Sequence, residues 1–146
     1  MSPLLPPAPC ITRLPGWPER LAAFIESRRH TAFAWGRNDC ATFAADALLA
    51  TTGTDVLASL RGTWASEPEA AAVLARMGGL PRAAMACLGR PLRHAAAAPR
   101  GAVVLARMGR TVVLGLRLSS AQWCAPGAAG LLFRPAAEVR LAWGCN

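Results

Sequence analysis

The stretch Trp35-Gly36-Arg37-Asn38-Asp39-Cys40-Ala41-Thr42-Phe43-Ala44-Ala45-Asp46 decides how this chain is read. A polar loop ends on Asp39, a strong helix-capping residue, and an apolar, alanine-rich run follows. The pattern predicts a helix that starts at Asn38 or Asp39 and ends at Gly53, with Cys40 in its first turn. Backbone N–H groups lack partners there, and the helix dipole is positive. A thiol so placed can fall from a pKa of roughly 8.5 to about 3.5–7.5 and become a nucleophile. Such a nucleophile also needs a base.

Outward from this stretch the chain alternates between periodic runs and punctuation. Trp17-Pro18-Glu19 opens an earlier helix, with Leu21, Phe24, Ile25 and Arg28 on one face and an end near His30. Ser66-Glu67-Pro68-Glu69 forms a capping box, and the helix behind it stops at Gly78-Gly79. A short fourth helix is predicted from Pro81 to about Leu88, closed by Gly89. Two strands follow, one in the run from Gly101 and one from Thr111, joined by a turn over Arg107-Met108-Gly109-Arg110. Gln122-Trp123-Cys124 reads as a short strand, Pro126-Gly127 and Gly130 as a turn, and Leu131-Leu132-Phe133 as a further strand. Pro135 to Trp143 fits a helix or a strand. Helices in front and strands behind predict an α+β fold with an antiparallel sheet packed on the helices. Residues 1–16 read as an extended, proline-rich arm and 17–146 as one domain.

The hexapeptide Val73-Leu74-Ala75-Arg76-Met77-Gly78 recurs as Val104-Leu105-Ala106-Arg107-Met108-Gly109. Nothing else repeats at that spacing, so the pair is read as coincidence in a biased composition. The first copy closes a helix and the second enters a turn.

Composition narrows the functional classes. The chain has 146 residues, 53% of them hydrophobic, enough for a core without covalent staples. The formal net charge is +8, and it is uneven. Residues 70–146 carry ten arginines against a single acid, Glu138. The arginines never occur three in a row, so this half is read as a solvated face or a protein interface rather than a nucleic-acid surface. Five cysteines without a Cys-x-x-Cys pair argue against structural zinc and against a secreted disulfide framework, so neither metal nor cofactor is expected. Cys87 is read as core filling, and Trp35, Trp64, Trp123 and Trp143 as core or interface anchors. Met1 to Pro9 lacks the regions of a signal peptide, and arginine interrupts every run that approaches the length of a membrane span.

The order of parts resembles papain-like cysteine hydrolases, especially their NlpC-like branch. In that branch Asp-Cys opens a helix with an aromatic and an acidic residue behind it, here Asp39-Cys40, Phe43 and Asp46. The run Gly101-Ala102-Val103-Val104-Leu105, followed by Val113-Leu114-Gly115-Leu116, is similar in outline to the branch's strand pair. The chain is more similar still to small proteins encoded in tail regions of phages, prophages and gene transfer agents. Their features are the Trp-Gly loop before Asp-Cys, Gly78-Gly79-Leu80, Leu88-Gly89 and Ala142-Trp143. The resemblance spans roughly residues 17–143 and implies a papain-like fold.

The departure from the hydrolase pattern is chemical. The resemblance puts Val113 where the general base belongs, and Ala102 where an aspartate belongs. Valine cannot accept a thiol proton, and acid–base help is worth about 10²–10⁴ in rate. The chain's two histidines, His30 and His94, are the substitutes to weigh, with Asp39 either orienting one of them or serving as helix cap. Two expectations follow from the resemblance. One is a tail-tip or hub component of a virion, on a degenerate NlpC-like scaffold, contacting other tail proteins. The other is an active cysteine peptidase or amidase that cuts peptidoglycan, with Cys40 as nucleophile and His94 or His30 as base. A basic nucleic-acid-binding module is a third, without a recognisable motif.

Overall fold

The computed structural model describes residues 11–145. The first ten residues of the arm, Cys10 among them, lie outside the described residues. The remainder of the arm lies on the domain: Ile11 is buried, and the Leu14 N–H donates to the Thr51 carbonyl at 2.8 Å.

The helices start and stop where the caps predict. α1 (Trp17–Arg28) has proline in its first turn and buries Leu21, Phe24 and Ile25. α2 (Cys40–Thr52) runs from its Asp39 cap to Gly53. The two pack through Phe24 and Phe43, ring centroids 5.3 Å apart. α3 (Glu67–Met77) begins behind the Ser66 side-chain cap, and α4 (Leu80–Leu88) begins one residue before the predicted Pro81.

Five strands form one antiparallel sheet: β1 (Val103–Met108), β2 (Thr111–Arg117), β3 (Gln122–Gly127), β4 (Gly130–Pro135) and β5 (Val139–Trp143), in the order β4-β3-β2-β1-β5. The fold is therefore α+β. Three local expectations change. The β1–β2 turn is tighter than predicted, because Arg107 and Met108 still pair with Val112 and Thr111. Gly109 takes φ 60, as the first position of a type II′ turn requires. Pro126-Gly127 is not a turn but the end of β3. Gln122 and Cys124 aim their backbone groups at β2, and by alternation so does Pro126. The β2–β3 ladder stops at Cys124, so no bond is lost to the proline. Residues 135–143 resolve into a short 3-10 turn, Ala136–Glu138, and then β5, which pairs with β1.

Strand alternation divides the core. Val103, Leu105, Leu114, Leu116 and Cys124 face α1 and α2. Val104, Ala106, Trp123, Ala125 and Ala142 form a second cluster on the other face, covered by Leu92, Ala95 and Ala98. A third cluster joins Ala45 of α2 to Leu57, Trp64, Ala70 and Val73. Among the described residues no helix is long and apolar enough to cross a membrane.

Candidate functional site

The loop before Cys40 is fixed residue by residue. Gly36 takes φ 77, and a Cβ there would strike the Trp64 carbonyl, so both conformation and space demand glycine. Asn38 donates through Nδ2 to the carbonyls of Thr31 and Ala32, and its Oδ1 accepts from Arg28 at 2.9 Å. Asp39 Oδ1 accepts from the Thr42 N–H at 2.9 Å, while the Thr42 hydroxyl accepts from the Asp39 N–H, a reciprocal capping box. Asp39 Oδ2 accepts from the Gly36 N–H at 2.8 Å and the Trp64 indole N–H at 2.7 Å. Both carboxylate oxygens are committed, so Asp39 is the helix cap and orients no imidazole.

Further along α2 the Asp-Cys motif serves packing and charge balance. Phe43 is fully buried. Asp46 accepts from Arg28 and from Arg61, each at 2.8 Å, and Arg61 also reaches Asp55 at 2.8 Å. These pairs tie α1 and the 54–65 connection to the middle of α2.

Cys40 begins α2 as predicted, half-buried at the wall of a cavity. Its pKa is pushed up to about 11, chiefly by burial in apolar surroundings. The Leu114 backbone beside the sulfur opposes this, and the negative charge of Asp39 adds to it. The expectation of a lowered pKa is corrected, because desolvation of the thiolate outweighs the amides of the helix start. The same strand corrects the placement of the missing base. Val113 packs into the cluster on the far face of the sheet, whereas Leu114 belongs to the face against α2. The residue on Cys40's side is thus Leu114, and it is aliphatic too.

Neither histidine takes the part of base. His30 is exposed in the turn after α1, where its backbone abuts Gly130 at the β3–β4 hairpin. His94 is exposed before the 3-10 turn Ala95–Ala97, on the segment that covers the opposite face of the sheet. Among the described residues neither side chain has a hydrogen-bond partner, and neither lines the cavity that holds Cys40.

That cavity, about 420 Å³, lies between α2, the α3–α4 pair and the β1–β2 hairpin. Its walls are almost wholly apolar, with Ala44, Leu57, Val73, Ala84 and Leu114 inside and Phe33 and Trp35 at its edge. Phe33 and Trp35 pack edge to face, centroids 4.8 Å apart. Cys87 also lines the cavity, half-buried, its thiol pKa raised by burial. Cys40, Cys87, Cys124 and Cys145 are all free thiols. Among the described residues no group of three or more His, Cys, Asp or Glu side chains could hold a metal ion. The sequence reading missed Trp64 as the partner of Asp39. A buried carboxylate in want of donors was the available signal, but nothing local names a donor 25 residues away.

A search of curated proteins and of solved structures finds no match to this chain. The model of a protein family described as a domain of unknown function (DUF6950) matches residues 12–145, from the buried end of the arm through β5. On that match the chain belongs to the DUF6950 family.

Proposed function

We propose that this chain is a non-catalytic structural component of a phage-type tail, at the tail tip or hub, built on a papain-like, NlpC-like scaffold. The observation that supports the reading is the state of Cys40: a thiol pushed up to about 11, with both histidines outside its cavity. A nucleophile with neither a lowered pKa nor a base lacks the two usual means of activation. The Asp-Cys loop is still held in place, by bonds that serve the fold. The tail assignment itself rests on the resemblance of the Trp-Gly-x-x-Asp-Cys stretch and its companions. On this reading the protein is made in the host cytoplasm, is carried in the virion tail and docks on other tail or hub proteins. The basic C-terminal half and the partly exposed Trp35 supply contact surface.

The test combines particles and cell wall. Particles carrying Cys40→Ala should assemble and enter cells as the parent does. Purified protein should clear no peptidoglycan in a zymogram between pH of about 5 and 9. Truncation should stop at residue 10, because Ile11 is part of the core; that variant should fold and dock less well. Normal assembly with failed entry for Cys40→Ala, or clearing abolished by iodoacetamide, would replace this reading with the peptidoglycan hydrolase.

A further inference from the structure

Arg117, at the end of β2, is 7% exposed and has no acidic partner among the described residues. Three half-buried arginines differ: Arg28 and Arg61 meet Asp46, and Arg134 meets Glu138. Arg117 Nε donates to the Ser119 carbonyl at 2.7 Å, and Nη2 to the Ser120 carbonyl at 3.3 Å. Those bonds occupy one edge of the guanidinium. Nη1 and the second N–H of Nη2 form the other fork, and nothing among the described residues accepts from it. Nη1 is not sealed away, since the Trp123 indole nitrogen is the one sealed, unpaired side-chain atom among the described residues. A cation withdrawn from water without an anion is costly, and that cost is relieved when an anion arrives.

Arg117 opens onto a pocket of about 340 Å³, on the face of the sheet opposite Cys40. Its other walls are Ser120, Val139 and alanines of the two 3-10 turns, Ala95–Ala97 and Ala136–Glu138. Glu138 does not fill the role of counter-ion, because Arg134 holds both its oxygens, at 2.9 and 2.5 Å. Arg140 donates to the Ala137 and Val139 carbonyls and adds a second positive charge beside the pocket.

We infer that this pocket binds a carboxylate carried on a small apolar body. A single planar fork matches the two oxygens and single charge of a carboxylate. A phosphate dianion asks for more donors than one fork supplies, and the other lining side chains are four alanines, Val139 and Ser120. The alanine and valine methyl groups suit the short aliphatic portion of the ligand. The carboxylate arrives either on a free short-chain acid or on a glutamate of a partner polypeptide. This inference is independent of the proposed tail role, since it concerns the other face of the sheet.

The experiment is an NMR titration of the ¹⁵N-labelled full chain with butyrate, butyramide, inorganic phosphate and N-acetyl-Ala-Glu-Ala-amide, at constant ionic strength. Saturable shifts are expected at the Arg117 Nε–Hε resonance and at the amides of 95–97 and 136–138, with butyrate and the peptide only. Tighter binding of the peptide identifies a polypeptide partner, and tighter binding of butyrate a free acid; both carry the proposal. Arg117→Lys, which keeps the charge and loses the fork, should weaken binding by about tenfold or more. Absence of shifts, equal response to butyramide, or phosphate binding as tightly as butyrate would overturn the proposal. The parent chain alone yields those three outcomes, so the test stands even if the variant misfolds.

Discussion

The indole N–H of Trp64 donates to Oδ2 of Asp39 at 2.7 Å, across 25 residues of chain. This bond joins the connection ahead of α3 to the first turn of α2. It also places the Trp64 carbonyl against Gly36, so one tryptophan holds the Trp-Gly loop twice. The motif that reads as a nucleophile's cradle is, in the fold, a clamp between two segments.

Removing that clamp should destabilise the domain. Asp39→Ala forfeits the cap and leaves the Trp64 and Gly36 donors unpaired, a cost of about 2–5 kcal/mol. Trp64→Phe loses one charge-assisted bond and some packing, about 1–3 kcal/mol. Urea denaturation of both variants measures the difference, and equal midpoints for parent and Asp39→Ala would contradict it.

Gly36→Ala should cost more than about 2 kcal/mol, because it combines a disfavoured backbone region with a collision on backbone that cannot swing aside. Thermal unfolding monitored by circular dichroism reads this directly. A neutral or stabilising effect would show that the loop relaxes freely.

Cys40 should alkylate slowly at neutral pH. With a pKa of about 11, the thiolate is about one part in a thousand at pH 8. Mass-mapped iodoacetamide labelling should rise about tenfold per pH unit until it approaches that value. Stability follows the same group. The unfolded thiol ionises near 9.0 and the folded one near 11, so the folded state keeps its proton where the unfolded state has lost it. The contribution is fully present below pH 9.0 and is lost as the pH rises toward 11. Cys40→Ala should flatten that alkaline slope, and an unchanged slope would count against the assignment.

Asp46→Ala strips two half-buried guanidiniums of their shared carboxylate, and a loss of about 1–2 kcal/mol is expected after allowing for solvent screening. Its neighbour Asp55 responds to acid. The side-chain bond from Arg61 holds the Asp55 carboxyl below its ordinary 3.8, so that contribution is present above 3.8 and fades as the pH falls through the lowered value. Acid unfolding of Arg61→Met, compared with the parent, isolates it: the variant should lose less stability below pH 3.8.

Much of the helical half was legible in the chain, because the signals are local. Asp39, Ser66, Gly53 and Gly78 mark helix ends through bonds or dihedrals within a few residues, and each stands where the sequence predicts. The site was legible only in part. Cys40 lies at the predicted helix start, yet its surroundings depend on β2, more than 70 positions away. A register displaced by one residue exchanged Val113 for Leu114, because strand side chains alternate between faces. His94 stands as a candidate base in the sequence because chain order does not reveal which face of the sheet a connecting segment crosses.

The two copies of Val-Leu-Ala-Arg-Met-Gly separate what sequence determined from what the fold decided. In both, the final glycine takes a positive φ and reverses the chain: Gly78 at φ 87, Gly109 at φ 60. That much is intrinsic to the residues, since glycine pays no Cβ penalty there. The five residues before it form the last turns of α3 in one copy and strand β1 in the other. Val73 packs with Ala70 and Trp64 behind the Ser66 cap, whereas Val104 and Ala106 fill the cluster around Trp123 with hydrogen-bonded strands on both sides. Short-range dihedral preference set where this chain turns, and burial among distant partners set what it turns into.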